Sequence, residues 1–244
     1  MNRLNETNEI RINKYLSMSG YCSRRAADDI VSEGRVTVDG DVATTGTRVS
    51  QGAVVKVDNK IIKLCEECKV YAFNKPVGYI SSLSDEQGEG IGKFIPKNLR
   101  LYPIGRLDKD SEGLMLLTND GELMNSILKA SGGHEKEYIV TVDHDLTDKF
   151  LHDMERGVKI TNGATGKKVV TAPCVTQFID SRHFKITLIQ GLNRQIRRMC
   201  GFFGYKVQRL QRIRIMNIKI NNIKCGEIRE ITGSELLELK KMTE

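Results

Sequence analysis

The chain has 244 residues, 39% of them apolar and 28% charged, and a formal net charge of +7, a composition typical of globular proteins that favours a polyanionic partner. No apolar run approaches the roughly 18 residues of a membrane span, and the start, MNRLNETNEIRINKYL, lacks the apolar core of a secretory signal. We therefore expect a cytoplasmic protein without a membrane partner. The length allows one large domain, or a small domain followed by a larger one.

The N-terminal region predicts two helices followed by a small sheet. Apolar residues fall on one helical face over residues 11–18, and Ser23 is a good N-cap for a second helix over residues 24–32. Beyond them, Asp39-Gly40 is a hairpin turn signal between alternating strands. A last strand over residues 54–57 completes this unit.

Residues 11–40 carry a pattern that points to RNA. The segments RINKYL, SRRAADDI and GRVTVDG resemble the S4 RNA-binding domain, which we place at residues 9–64. S4 domains bind structured RNA through basic side chains that reach phosphates, which suits recognition by shape. The resemblance implies RNA contacts from Arg11, Lys14, Arg24, Arg25 and Arg35.

After a polar linker near residues 63–67, short strands and helices alternate, and we place a second domain at residues 68–242. Its strands are predicted at residues 70–73, 102–104, 114–117, 138–142, 175–178, 184–189 and 207–220. Its helices are predicted at residues 121–130, with Leu123, Ile127 and Leu128 inward, at 146–154 and 195–203, and after Thr232 as a cap. This order predicts an α+β fold with a mainly antiparallel sheet flanked by helices.

Positive charge is concentrated late in the chain. From Ser181 to Gly226 there is no acidic residue, while the same stretch holds eleven lysines and arginines. A basic surface for phosphates is the favoured interpretation, and a solvated basic face without a partner is the alternative.

The six cysteines predict no metal site. Only Cys65 and Cys68 have ligand-like spacing, and a structural zinc site needs a second pair or histidines at fixed offsets. We expect ordinary thiols and no bound metal.

The segment GRLDKDSEGLMLLTNDG, residues 105–121, raises the question of chemistry. An isolated Asp between strands is usually a turn residue, but Asp108 lies between Arg106 and Lys109, and nearby positive charge favours the ionised carboxylate. With an RNA-binding module, one ionised carboxylate suits nucleophilic catalysis on a nucleoside. A two-metal nuclease would need several acidic residues that converge, and this chain has no second acid-rich motif. It also lacks a phosphate-binding Gly-rich loop that ends in Lys-Ser or Lys-Thr.

Four motifs in order resemble one family. GRLDKDSEGLMLLTNDG is similar to the catalytic motif of pseudouridine synthases, and the others are FNKP at residues 73–76, KEYIV at 136–140 and QGLNRQIRRM at 190–199. With the S4 module in front, the chain resembles the RsuA family of ribosomal RNA pseudouridine synthases. RIRIMN at residues 212–217 and HEKEY at 134–138 look most like its RluF branch, which acts on 23S ribosomal RNA.

The resemblance implies a mechanism without cofactor or metal. Asp108 attacks a flipped uridine, or takes a proton from its sugar, the C1′–N1 bond breaks, and the freed uracil rotates and rejoins through C5. Arg197 is expected to pair with Asp108, with phosphate contact as its alternative role. Tyr138 is expected to lie against the flipped base and to assist proton transfer, with core packing as its alternative.

Other residues are assigned to substrate and RNA on the same basis. Leu210 is expected to pack on the uracil, Arg106 to fill the space that the base leaves, and Lys75 to shape the pocket floor. Leu210 and Lys75 have purely structural alternatives. Arg198 is expected to touch substrate, and Arg194 to contact RNA.

The expected partner is ribosomal RNA, with 23S ribosomal RNA favoured, or a ribosome assembly intermediate, and the chain is expected to be a monomer. The same chemistry on 16S ribosomal RNA or tRNA stays open, as does a non-catalytic S4-type RNA-binding or assembly factor. RluF-type enzymes can carry a long basic tail, whereas this sequence ends at Glu244, so RNA target and affinity are expected to differ.

Overall fold

A computed structural model describes residues 9–64, 67–96, 98–129, 132–163 and 165–244. The chain forms two compact units, the first ending at Cys68 and the second beginning at Lys69. Two residues singled out from the sequence lie outside the described residues: Cys65, one of the two cysteines with ligand-like spacing, and Ala130, the predicted end of a helix.

The first unit has the predicted helices. They are α1 (Ile12–Met18) and α2 (Arg24–Ser32), and the Ser23 hydroxyl accepts the Ala26 N–H at 3.2 Å as an N-cap should. Its strands are β1 (Ile10–Arg11), β2 (Val36–Val38), β3 (Asp41–Val42), β4 (Arg48–Val49), β5 (Val55–Val57) and β6 (Lys60–Ile62).

Two tight turns organise this small sheet. Strands β3, β2, β5 and β6 pair in that order, all antiparallel, and β1 pairs with β4. Asp39 and Gly40 have φ of 53° and 100°, and Asp58 and Asn59 have φ of 47° and 64°. Two consecutive positive φ values are what a two-residue hairpin turn matched to strand twist requires.

The second unit is built on one nine-stranded sheet in the order β13-β14-β10-β15-β9-β7-β17, with β16 on β15 and β8 on β9. The strands are β7 (Val70–Lys75), β8 (Tyr102–Ile104), β9 (Glu112–Thr118), β10 (Lys136–Val142), β13 (Val175–Asp180), β14 (His183–Leu188), β15 (Val207–Ile215), β16 (Ile218–Lys219) and β17 (Ile228–Glu230). A separate hairpin joins β11 (Lys159–Thr161) to β12 (Lys168–Val170). The helices are α3 (Gly121–Leu128), α4 (Asp148–Glu155), α5 (Gln195–Phe202) and α6 (Gly233–Lys241), with a 3₁₀ turn at Ile91–Phe94.

The predicted α+β class with a mainly antiparallel sheet is confirmed, because β9 and β15 form the one parallel pair of this sheet within the described residues. Two details differ. Leu128, expected inward, is 48% exposed because α3 ends at that residue. Thr232 precedes α6 without a side-chain cap hydrogen bond.

One row of residues crosses four neighbouring strands at the centre of the sheet. Lys75 lies opposite Gly113, Gly113 opposite Arg212, and Arg212 opposite Tyr138. Residues in direct register point to the same sheet face. On that face one apolar cluster contains Phe73 and another contains Leu210, and Tyr138 packs against both.

Over the described residues, no helix combines the length and apolarity needed to cross a bilayer. Within the same residues, no group of three or more His, Cys, Asp or Glu side chains is placed to hold a metal ion.

We predict that Gly113→Ala destabilises the protein. Gly113 has φ of 105°, and a Cβ there would lie 2.8 Å from the Arg212 nitrogen and closer still to its carbonyl oxygen. The strained φ alone costs about 1–3 kcal/mol of unfolding free energy. Denaturant unfolding measures the change, with Gly121→Ala as a matched control because a Cβ at Gly121 meets nothing within 4 Å. Equal stability of the two variants would contradict the prediction.

Candidate active site

Asp108 opens a tight turn between β8 and β9. The Ser111 N–H donates to the Asp108 carbonyl at 3.0 Å, which closes a four-residue turn. Gly105, with φ of 76°, bends the chain out of β8. Gly113, the second residue of β9, also has a positive φ and bends the chain where the strand begins. The two glycines that flank the motif therefore have a conformational role on both sides of the turn.

Every carbonyl of this turn, residues 108–111, accepts a hydrogen bond. Apart from the internal bond, Lys109 O accepts from the Gly78 N–H at 2.8 Å, and Asp110 O accepts from Arg197 Nη2 at 2.7 Å. Ser111 O accepts from Lys75 Nζ at 2.8 Å. These donors come from two separate segments of the chain, residues 75–78 and α5, so the backbone of the turn is held from more than one side.

The residue before the turn is held as well. The Ser81 hydroxyl donates to the Leu107 carbonyl at 2.6 Å and accepts the Leu107 N–H at 2.8 Å. Leu107 is itself buried in the apolar cluster with Phe73. Backbone and side chain next to Asp108 are thus both immobilised.

The Asp108 side chain, in contrast, is left available. It is half-buried and lines an open cleft of about 390 Å³ together with Val77, Gly78, Lys109, Asp110 and Arg194. Among the described residues its carboxylate has no hydrogen bond or ion pair, although its charge acts on Lys75 and Arg194. A fixed backbone that presents a free carboxylate to a cleft is the arrangement expected of a nucleophile or base.

Arg197 has a different carboxylate partner from the one expected. Its Nε lies 3.4 Å from Asp110 Oδ2, and its Nη1 donates to Val207 O at 2.9 Å. Arg194 binds the same Asp110 carboxylate through two bonds of 2.9 Å, and this contact foremost holds the pKa of Asp110 below its usual range. The predicted Arg197–Asp108 pair is not formed, and Arg197 acts here on the backbone and the second acid of the turn.

Lys75 is fully buried beneath the turn. Its ammonium donates to Pro76 O at 2.9 Å in addition to Ser111 O. Burial lowers the pKa of Lys75 to about 8, Asp108 opposes that shift, and Arg212 adds to it. This is the structural alternative foreseen for Lys75, because the ammonium supports the floor of the turn.

The remaining predicted substrate contacts divide between core and surface. Tyr138 is half-buried, while Leu210 is 6% exposed inside the core opposite Val140. Arg106 is exposed beside Asp108 in the chain. Arg198 donates to Thr161 O at 2.7 Å and to an Asn193 oxygen at 3.0 Å, and it lines a second open cleft rather than the one at Asp108. The structure therefore does not bring Arg198 to the candidate site.

The predicted RNA contacts of the first unit also differ among themselves. Arg24 and Arg25 are exposed in the first turn of α2, and Arg11 is exposed before α1. Arg35 instead forms hydrogen bonds of 3.0 and 2.7 Å with Asp58 and one of 3.0 Å with Glu33. Its charge is thus already compensated by two carboxylates, whereas the α2 pair faces solvent.

Three residues of the site were not assigned from sequence. Ser81 lies 26 positions before the residue that it holds, so no local pattern identifies it. Asp110 stood inside the motif as one of several charges, and Arg212 stood inside a quoted segment without a role. One signal could have pointed to Arg212. It is a charged residue in a strand that pairs with buried strands on both sides, where an apolar residue is usual.

Comparison with known proteins identifies a family for each unit. The model of the RNA pseudouridylate synthase family matches residues 69–201, and the S4 domain model matches residues 10–55. The Asp108 turn, Lys75, Tyr138 and Arg197 all fall within the first match.

Several relatives cover nearly the whole chain. The dual-specificity RNA pseudouridine synthase RluF of Escherichia coli K12 is 48% identical over 239 residues, which are 96% of this chain and 80% of that protein. An uncharacterized RNA pseudouridine synthase of Aquifex aeolicus is 36% identical over 96% of this chain and 94% of its own. A crystal structure of a pseudouridylate synthase superposes with a TM-score of 0.69 at 26% identity, over 94% and 99% of the two chains. The chain therefore belongs to the RNA pseudouridine synthase family, in the RsuA-type group that carries an S4 domain.

Proposed function

We propose that this protein isomerises a specific uridine of ribosomal RNA to pseudouridine, with 23S ribosomal RNA as its main target and Asp108 as the reacting carboxylate. The observation that carries the proposal is the Asp108 turn, whose four carbonyls all accept hydrogen bonds while its carboxylate is free at the cleft. The relatives at 48% identity are named dual-specificity enzymes, which supports a second RNA substrate for this chain as well.

The chemistry follows from the groups around the cleft. The target uridine leaves its stack, because a base inside a helix does not expose the bond to be broken. The Asp108 carboxylate attacks C1′ or takes a proton from the sugar, and the C1′–N1 bond breaks. The uracil turns, and C5 bonds to C1′ as the Asp108–C1′ bond breaks or, on the second route, the abstracted proton returns to the sugar. The C5 proton then passes to solvent, and N1 gains a proton. Tyr138 is half-buried and packs against both apolar clusters, and its proposed role is to hold the ring.

RNA is recruited by positive charge on both units. Arg24 and Arg25 of the S4 unit are exposed, and the acid-free stretch of residues 181–226 brings its basic side chains to the catalytic unit. The proposed substrate is the ribosomal RNA itself or an assembly intermediate, and the chain is proposed to act in the cytoplasm as a monomer.

A non-catalytic RNA-binding or assembly factor is the second candidate. The S4 unit and the basic stretch fit that function equally well. Such a protein has no need of a turn in which each carbonyl is bonded and one carboxylate is left open, so the organisation around Asp108 favours the enzyme.

We predict that Asp108→Asn abolishes isomerisation and leaves RNA affinity intact, since the amide keeps the shape but not the nucleophile. The measurement is release of tritium from C5-labelled ribosomal RNA, followed by mapping of pseudouridine in cells that carry wild type or the variant. Mapping also identifies whether 23S RNA, 16S RNA or tRNA is modified. Equal tritium release by the two proteins would remove Asp108 from the mechanism. If no pseudouridine depended on the protein and the variant kept every cellular effect, the binding factor would be the correct function.

We predict that Ser81→Ala lowers kcat by about 10- to 100-fold with little change in KM, because it releases Leu107 and loosens the placement of Asp108. Ser84→Ala is the matched control, since Ser84 is an exposed serine of the same loop whose hydroxyl accepts only the Glu86 N–H among its described partners. Steady-state kinetics on labelled RNA gives both constants. A shared, equally small loss in the two variants would contradict the prediction.

We predict that Arg24→Gln with Arg25→Gln weakens RNA binding and reduces the slope of log K against log salt by about 1 for each phosphate that the variant no longer neutralises. Arg35→Gln is the comparison, because its guanidinium is held by Asp58 and Glu33. Filter binding of ribosomal RNA at several salt concentrations provides the slopes. A larger change in slope for Arg35→Gln than for the Arg24 and Arg25 double variant would contradict the prediction.

A further inference from the structure

Arg212 has a position that its contacts do not explain. It lies on β15 in the central row, between Gly113 of β9 and Tyr138 of β10, and is 4% exposed. The absence of a side chain at Gly113 lets the two strands approach closely, since a Cβ there would collide with the Arg212 backbone. An arginine is therefore built into the centre of the sheet, between the strand that follows the Asp108 turn and the strand that carries Tyr138.

Its hydrogen bonding is incomplete. Arg212 Nε donates to Leu114 O at 2.6 Å, but the buried Nη2 has no hydrogen-bond partner among the described residues. A buried donor without an acceptor costs about 1–3 kcal/mol, and more when it is charged. Such a group in a native site needs an acceptor that the protein does not itself supply, and a ligand or an ordered water provides one.

Its neighbours increase the local positive charge. The charge of Arg212 acts on Lys75 and on Lys136, and burial foremost lowers the pKa of both lysines. The carboxylates nearby are those of the catalytic segment, and Asp110 and Glu112 already pair with Arg194 and Arg209.

The other two cations of the site direct their terminal amino groups at backbone carbonyls, and the Arg197 Nε, which has no hydrogen bond within the described part of the chain, lies 3.4 Å from Asp110 Oδ2. Lys75 donates to Pro76 O and Ser111 O, and Arg197 donates to Val207 O and Asp110 O. Their contacts fix the backbone. Of these three cations, Arg212 is the one that combines deep burial in the central row with an unpartnered amino group.

Building on the function proposed above, we propose that Arg212 is a catalytic residue that donates a hydrogen bond to a carbonyl oxygen of the flipped uracil. When the C1′–N1 bond breaks, its electron pair moves to N1 and spreads onto O2 and O4. The guanidinium stabilises that ring anion until the pair forms the new C5–C1′ bond, the C5 proton leaves to solvent and N1 is protonated. A donor already oriented toward developing charge, in a region shielded from water, is effective because it needs no reorganisation.

The test compares two leaving groups. Arg212→Lys keeps a positive charge, and Arg212→Gln keeps a donor without charge. Each is assayed in single turnover on RNA with uridine or 5-fluorouridine at the target, following loss of the original nucleoside by digestion and chromatography.

Fluorine withdraws electrons and makes the ring a better leaving group, so the departure of the fluorinated ring depends less on Arg212. We expect uridine cleavage to fall by about 100-fold or more, 5-fluorouridine cleavage to fall much less, and RNA affinity to stay unchanged.

Arg229→Lys is the control, because Arg229 is a partly exposed arginine on β17 paired with Glu235 at 2.7 and 2.9 Å, and both rates should match wild type. Equal losses on both substrates would show a structural role and overturn the proposal. Inactivity of the wild type on every RNA would instead overturn the proposed function.

A measurement on wild type does not depend on the folding of a variant. With RNA that is abasic at the target position, barbiturate, a ring anion at neutral pH, should bind more tightly than neutral uracil. Equal affinity for the two rings contradicts a role for Arg212 in anion stabilisation.

Discussion

The site depends on how the carbonyls of the Asp108 turn are satisfied. A turn of four residues exposes backbone acceptors that must find donors once buried. Here those donors are the Ser111 amide, the Gly78 amide, the Arg197 guanidinium and the Lys75 ammonium. Because charged donors form stronger hydrogen bonds than neutral ones, the turn is held more firmly than an ordinary surface loop. The carboxylate can then remain unpaired without the loop losing its shape.

The need for backbone donors explains why Lys75 and Arg197 both lie close to the Asp108 turn. Lys75 and Arg197 are needed as backbone donors, and each must be close to the turn to act. Buried cations are costly unless they are paired and hydrogen-bonded. Asp110 neutralises part of that charge through Arg194 and Arg197, which leaves the charge of Asp108 uncommitted. Asp110 thus takes the place of Asp108 as the ion-pair partner of Arg197, and among the described residues Asp108 remains unpaired.

Local features of the fold were predictable because short-range chemistry determines them. The Ser23 cap, the Asp39-Gly40 turn and the strands around Asp108 each follow from neighbouring residues. Long-range contacts were not predictable in the same way. The partner of Arg197 depends on how α5 meets a turn 87 positions earlier in the chain, and the three-residue strands of the β11–β12 hairpin are too short to show a period. Family motifs identified the residues of the site but not which of them touch.

The sheet has a weakly paired boundary, here called the seam, between β9 and β15. Strands β9 and β15 run parallel, unlike the other described pairs of that sheet, and their register contains only two residue pairs, Glu112 with Gln211 and Gly113 with Arg212. Each side of the seam has its own apolar cluster, so burial on both sides, and not the short ladder, holds the seam together. Between the clusters the sheet face carries Lys75, Arg212 and Tyr138 in place of aliphatic side chains. A polar row flanked by two packed cores is held rigidly, and the Asp108 turn leads directly into β9, one of the two strands that form this parallel pair.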